Sequence, residues 1–276
     1  MTDPLQNRVA VVTGAAGGIG RACAVALARA AADADADAAG VDAGIDAGID
    51  IAAPVSPVLV TRAWGEVDIL FADAGIQAFE PLLEMTDADW HDRVDVNLTG
   101  TANTLRVFAP ILVARGGGRI IITSSPQGQH GTKNGAAYSA STWGLLGLMK
   151  SAALELGVHG ITVYAVVPGL IDTALTRHED RYAQAISEGG GRPTGKAAED
   201  ERSAVAVRTA KTPLGVPWLS PKDVAPVVVF LASHLASHLA SHLASHLASD
   251  LASDAARMVS GTSFPVTGGD SAHVAA

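Results

Sequence analysis

The chain has 276 residues, with 19 Lys+Arg against 28 Asp+Glu and a formal net charge of −9; with no concentrated basic patch, this balance argues against holding a nucleic-acid phosphate backbone. Hydrophobic residues make up 48% but aromatics only 4%, so the core must be built from Ala, Val, Leu and Ile, which suits helices packed on a buried parallel sheet. The lone Cys23 excludes a disulfide scaffold, while the polar opening Met1–Arg8 and the lack of any uncharged apolar run near ~18 residues predict a cytoplasmic protein with no membrane partner.

Length favours one domain over two, spanning 1–276. Arg8–Thr13 reads as a short buried strand, followed by glycines at 14, 17, 18 and 20 and a helical stretch from Arg21 to about Ala32. The same grammar recurs: Val67–Ala72 is predicted as a strand, Thr86–Leu98 as a helix, Gly118–Ser124 as a strand, Tyr138–Leu156 as a helix and Ile161–Val167 as a strand. Alternating units of this kind imply an α/β fold with a doubly wound parallel sheet of Rossmann type. Between Pro168 and Trp218 the chain is polar and rich in Gly and charge, with one helix expected near Asp180–Ser187. Residues 172–218 are read as a substrate lid, since long segments of this kind in compact domains are commonly functional. Ser220-Pro221-Lys222-Asp223 then opens a helix, with Ser as N-cap and Pro at its first position.

Two stretches are repetitive. Ala32–Asp50 runs through Ala-Asp alternation into a four-residue unit, and Leu231–Asp254 repeats Leu-Ala-Ser-His and then Leu-Ala-Ser-Asp inside a predicted helix. A four-residue period drifts ~40° per repeat around a helix, so Leu231 and Leu251 cannot face one core. Both stretches are read as expansions of short coding units. A rival reading makes His234, His238, His242 and His246 a chelating ladder, but no Cys or carboxylate completes a ligand set, and no metal site is expected.

The turn Thr13-Gly14-Ala15-Ala16-Gly17-Gly18-Ile19-Gly20 lies between a strand and a helix. Glycine there lets the backbone approach a pyrophosphate, whose charge meets free N–H groups and the positive end of the helix dipole. Gly14, Gly18 and Gly20 are therefore cofactor candidates. Asp50 is the choice for the adenine-ribose hydroxyls, with Asp46 the rival in a slipped register. Neither Ala16 nor Gly17 supplies a positive charge for a 2′-phosphate, so NAD is expected over NADP.

These residues, with Ala72-Asp73-Ala74-Gly75, Asn97 in Val94–Gly100, Ser124-Ser125, Tyr138-Ser139-Ala140-Ser141 and Pro168-Gly169, resemble the short-chain dehydrogenase/reductase family in order and spacing. Asp50–Pro54, Glu84-Met85-Thr86, Pro217-Trp218 and Asp254–Gly269 are similar to its carveol-dehydrogenase or mycofactocin-coupled branch. The resemblance implies Tyr138 as the general acid/base, Ser125 as the group orienting the substrate oxygen and Asn97 as support for a water relay. It also implies Thr13, Gly14, Gly18, Ile19, Gly20, Ala74, Gly75, Pro168, Gly169, Ile171 and Thr173 as cofactor contacts, Thr173 touching the carboxamide, and assembly as a homotetramer or homodimer.

Three departures stand out. The family's lysine, one helical turn after the tyrosine, is Thr142 here, which occupies a catalytic position with only a hydroxyl. Asp73 stands where the family has Asn. The stretch 33–66 is also short for the elements the family fits there, because each βα unit needs on the order of twenty residues; one unit is expected to be lost or degraded. The leading reading is an NAD-dependent oxidoreductase moving a hydride between nicotinamide and a small apolar secondary alcohol or ketone. The alternative is a catalytically impaired or dead protein of the same fold, serving as a binding or oligomer subunit.

Overall fold

The computed structural model describes Leu5 and residues 8–31, 66–233 and 261–267. Five parallel strands form one sheet among them: β1 (Ala10–Thr13), β2 (Ile69–Ala72), β3 (Gly118–Thr123), β4 (Ile161–Pro168) and β5 (Thr262–Val266), in that spatial order. Asp46, Asp50, the shortened stretch up to residue 65 and the four repeat histidines lie outside the described residues.

Helices cover both faces because the strands bury both. On one face Leu70, Ile120, Ile122, Val163 and Ala165 pack with Leu105, Phe108 and Leu112 of α3 (Gly100–Arg115) and with Leu145, Met149 and Ala152 of α4 (Ala136–Leu156). On the other, Ile69, Phe71, Ile121, Tyr164 and Val166 meet Cys23 and Leu27 of α1 (Gly18–Ala31) and Val224, Val228 and Leu231 of α7 (Pro221–Ala232). Period-two alternation along each strand divides its side chains between the two helical layers.

Register brings the functional ends together. Thr13 pairs with Ala72, Ala72 with Ile122, Ile122 with Ala165, and Pro168 with Val266. The residues that follow these carboxyl ends therefore emerge along one edge of the sheet, where ligands bind in open α/β folds.

Several expected elements change on folding. The predicted helix Thr86–Leu98 becomes α2 (Asp87–Arg93), begun by a Thr86/Asp89 capping box, and then a π-helical turn over Val94–Thr99 that runs into α3. Sequence reading passed over α3 because its buried face uses Gly100, Thr101 and Thr104 beside Leu105, Phe108 and Leu112. The segment after β4 holds two helices, α5 (Glu179–Glu188) and α6 (Ala197–Lys211), where one was expected. Its ends are clasped: Ile171 and Leu219 form an isolated parallel bridge, and Asp172 N–H donates to the Leu219 carbonyl at 2.8 Å. Ser220 and Asp223 form the expected capping box at the start of α7.

Candidate active site

The turn after β1 has the geometry its glycines permit. Gly14 and Gly18 sit at φ +72° and +53°, a region that side chains disfavour. A Cβ on Gly20 would lie 2.5 Å from the Gly14 carbonyl oxygen. Thr13 turns inward, its hydroxyl accepting from the N–H groups of Asp73 at 3.0 Å and Ala74 at 3.2 Å, which ties the end of β1 to the loop after β2. The bare backbone at the amino end of α1 thus leaves room and N–H groups for a phosphate, and the residues present there fit a dinucleotide.

A cavity of about 480 Å³ runs from this turn across the carboxyl ends of the strands to α5 and α6. Among the expected cofactor residues Gly14, Gly18, Ile19, Ala74, Gly75, Pro168, Gly169, Ile171 and Thr173 line it. Thr13 and Gly20 lie behind the lining as supports. Thr173 reaches back to the glycine turn, since a Cβ on Gly18 would stand 3.2 Å from its methyl carbon. The expected catalytic residues Asn97, Ser125, Tyr138 and Thr142 line the same cavity.

Asn97 lies in the π-helical turn and is buried. Its amide donates to the Ile76 carbonyl at 3.0 Å and to Ser141 Oγ at 3.1 Å, and its side-chain oxygen accepts from Ile76 N–H at 2.8 Å. Departures from α-helical winding of this kind recur at functional sites, where they re-aim a side chain. Here the turn fastens the loop after β2 to α4, two residues from Ser139 and three from Tyr138.

Ser125 caps the short turn Pro126–Gly128, and its hydroxyl donates to Gln127 Oε1. Ser125 and Gln77 line the same cavity as the Tyr138 phenol. Burial is the largest influence on that phenol and raises its pKa above the ordinary tyrosine value; Ser125, the Arg181 guanidinium and Gln77 pull it back, while Asp73 pushes it further up.

Thr142 is buried and engaged elsewhere. Its hydroxyl donates to the Tyr138 carbonyl at 3.0 Å and the Ser139 carbonyl at 3.1 Å, the back-bonding common to threonine within helices. Ser124 in turn donates to the Thr142 carbonyl at 3.0 Å.

Asp73 accepts from Thr123 Oγ1 at 2.6 Å and from the Gly20 N–H. Desolvation outweighs both hydrogen bonds and lifts its pKa to about 7, so near neutrality the carboxyl is largely protonated or evenly divided rather than a fixed negative charge. It also raises the buried Cys23 thiol, already pushed up by desolvation, which leaves that sulfur as an inert core group.

Sequence reading missed the far wall. Arg181, Gln184 and Glu188 of α5 line the cavity with Arg208 and Lys211 of α6. The signal was their i, i+3, i+7 spacing on α5, which places all three on one helical face. Arg181 Nη1 donates to Gln184 Oε1, Arg208 Nη2 donates to the Arg181 carbonyl at 2.7 Å, and Gln184 Nε2 donates to Glu188 at 2.9 Å. Arg177 anchors the segment by a two-pronged bond to Asp172 at 2.7 and 2.9 Å and another to Glu201 at 2.8 Å.

A parallel sheet wrapped by helices, with a glycine turn and a phenol at one end of a single cavity, defines a Rossmann-type nucleotide-binding protein. Residues 54–183 match the family model of the short chain dehydrogenases. Over 243 residues the chain is 31% identical to the 3-oxoacyl-[acyl-carrier-protein] reductase FabG of Escherichia coli, a match that takes in 83% of this chain and 91% of that reductase. The chain belongs to the short chain dehydrogenase family. It is 37% identical to the (-)-trans-carveol dehydrogenase of Rhodococcus erythropolis over 172 residues, which cover 61% of this chain and 59% of that enzyme. The structure of carveol dehydrogenase from Mycobacterium avium in complex with NAD superposes with a TM-score of 0.77 at 27% identity, covering 97% of this chain and 98% of that one. A protein of Beutenbergia cavernae, named as an NAD(P) dependent gluconate 5-dehydrogenase and solved with NADP at low occupancy, gives 0.72 at 31% identity over 99% and 100% of the two chains.

Proposed function

We propose that this oxidoreductase uses NAD to interconvert a small apolar secondary alcohol and its ketone. The observation that carries the reading is that the Tyr138 phenol and Ser125 share a cavity that opens onto the glycine turn. The carveol dehydrogenase relatives support the substrate class, and the NAD complex of one of them supports the cofactor.

Gly14, Gly18 and Ile19 would hold the phosphates, with Gly20 letting the turn close behind them, Ala74 and Gly75 the adenosine side, and Pro168, Gly169, Ile171 and Thr173 the nicotinamide end, with Asp50 as the ribose residue outside the described part. The nicotinamide, when bound, supplies or accepts the hydride. Tyr138 exchanges the proton of the substrate oxygen, as base for an alcohol and as acid for a ketone. Ser125 orients that oxygen, and Asn97 keeps the floor of the cleft fastened to α4. Residues 172–218, clasped at Ile171 and Leu219, act as the substrate lid and exclude water. The protein works as a dimer or tetramer in the cytoplasm, with a small molecule as its substrate partner.

Thr142 favours a second reading in which catalysis is impaired: with its hydroxyl committed to backbone carbonyls, it brings no charge to the phenol. Incubating the purified chain with NAD or NADP and a panel of secondary alcohols, beside Tyr138→Phe, separates the two. NAD reduction lost in Tyr138→Phe supports the enzyme. Cofactor binding with no turnover across the panel supports the impaired protein.

A further inference from the structure

Arg181 is a buried cation, 7% exposed, and it forms no ion pair among the described residues. Arg208 of α6, which donates to the Arg181 carbonyl, likewise forms no ion pair among the described residues, in contrast to two other arginines. Arg177 is held by two carboxylates, and Arg115 pairs with Asp68 at 2.6 Å. Arg181 has Gln184 on Nη1 and no partner on Nε. Its guanidinium carbon lies 4.5 Å from the centre of the Phe79 ring, and Phe79 lies 6.1 Å from the Tyr138 ring. Removing a guanidinium from water without a carboxylate partner is costly. Its seat on an aromatic face offsets part of that cost and directs the charge toward the cleft.

We propose that Arg181, seated on Phe79, is the positioning cation for the Tyr138 phenolate, filling from α5 the place that Thr142 leaves empty on α4. The inference rests on the reading of Tyr138 as the group that gains and loses the proton. Both residues line the one cavity. The coupling acts in both directions: the guanidinium favours the ionised phenol, and the ionised phenol favours the charged guanidinium. Other groups share the field. Asp73, at the end of β2, opposes phenolate formation, and Ser125 and Gln77 favour it. Glu188 stabilises the Arg181 charge, while Arg181 and Arg208 repel each other. His130 and Lys211 stand on the cavity wall.

A cation on the lid has a different consequence from one on the catalytic helix. The charge reaches the phenol from α5, so a change that displaces α5 from the cleft would take it away from Tyr138.

The test is an ultraviolet titration of phenolate formation in the whole chain without cofactor, with the Tyr138→Phe protein subtracted to isolate Tyr138 from Tyr164 and Tyr182. The Tyr138 midpoint is expected to rise in Arg181→Gln and to stay near the wild-type position in Arg181→Lys, which keeps the charge. The alkaline rise of kcat should move in the same order, about tenfold at pH 7 for each pH unit of displacement. If Arg181→Gln does not fold, Phe79→Leu removes the guanidinium's seat and should also raise the midpoint. An unmoved midpoint in a folded Arg181→Gln protein, a Lys variant displaced as far as the Gln variant, or an unmoved Phe79→Leu where Arg181→Gln is lost would overturn the inference. Turnover surviving in Tyr138→Phe would instead overturn the role of Tyr138 and leave the titration result standing.

Discussion

The hydroxyl of Thr142 donates to the main-chain carbonyl of Tyr138 at 3.0 Å. The residue one turn beyond the phenol is therefore turned back into its own helix, and the charge that the family's lysine provides at this position is absent from it. Burial then dominates the phenol and holds its pKa above the ordinary tyrosine range. An ordinary tyrosine is ionised to only ~0.1% at pH 7, and Tyr138 starts below that.

Replacing Thr142→Lys should restore a cation on the Tyr138 face of α4. Turnover at pH 7 is expected to rise by about tenfold or more, with the pH profile moving toward neutrality. Steady-state kinetics from pH 6 to 10 checks this; no gain in a variant that binds NAD tightly would shift the defect to Asp73 or to the short stretch 33–66.

The raised Asp73 pKa of about 7 has a direct effect on stability. The unfolded carboxyl ionises near its ordinary value while the folded one keeps its proton, so stability falls as pH rises from about 4 to 7 and levels off above. Asp73→Asn keeps a hydrogen-bonding side chain and removes the titration. Urea unfolding at pH 8 should show a gain of about 1–3 kcal/mol, shrinking toward zero at pH 4. An equal change at both pH values would mean that Asp73 acts by packing alone.

Gly20→Ala would set a methyl 2.5 Å from the Gly14 carbonyl oxygen and 2.9 Å from Asp73 Oδ2. The turn must open, at a cost of about 1–3 kcal/mol, and NAD affinity by calorimetry should fall by more than about tenfold. Unchanged binding would place the cofactor elsewhere.

Helix α4 leaves Trp143 and Leu154 exposed at 53% and 83%, and eleven residues of α-helix bring them back to within ~20° of one another. These two exposed apolar side chains, with Gly147 and Lys150 between them, are expected to meet a second copy of the chain. Light scattering at micromolar concentration should give a dimer or tetramer that Leu154→Glu weakens; a monomeric wild type contradicts the assignment.

How much of this was legible in the sequence depended on where the signal was apolar. β2, β3 and β4 stood out because Ile, Val and Leu fill both faces of each strand, and α7 was announced by Ser220, Pro221 and Asp223. The helix α6 was silent because its buried face is Asp200, Ala204 and Arg208, a helical spacing that hydrophobic periodicity does not register. Tyr138, Ser125 and Asn97 could be named from the resemblance to the family's motifs. The positions of Gln77 and Arg181 around the phenol could not, because they arrive from a loop and a helix far apart in the chain and meet only through tertiary packing. The binding of Thr142 to its own backbone was equally hidden, since a threonine's rotamer is set by its surroundings.

The central claim is that Tyr138 carries the proton in a site where its ionisation is disfavoured at neutral pH. The most direct measurement is the pH dependence of kcat for NAD-dependent oxidation of a secondary alcohol, with wild type and Tyr138→Phe compared from pH 6 to 10. Wild-type turnover should be slow at pH 7 and climb through the alkaline range, while Tyr138→Phe falls by roughly 10²–10⁴ and loses the climb. Brisk turnover at pH 7 that persists in Tyr138→Phe would contradict the account.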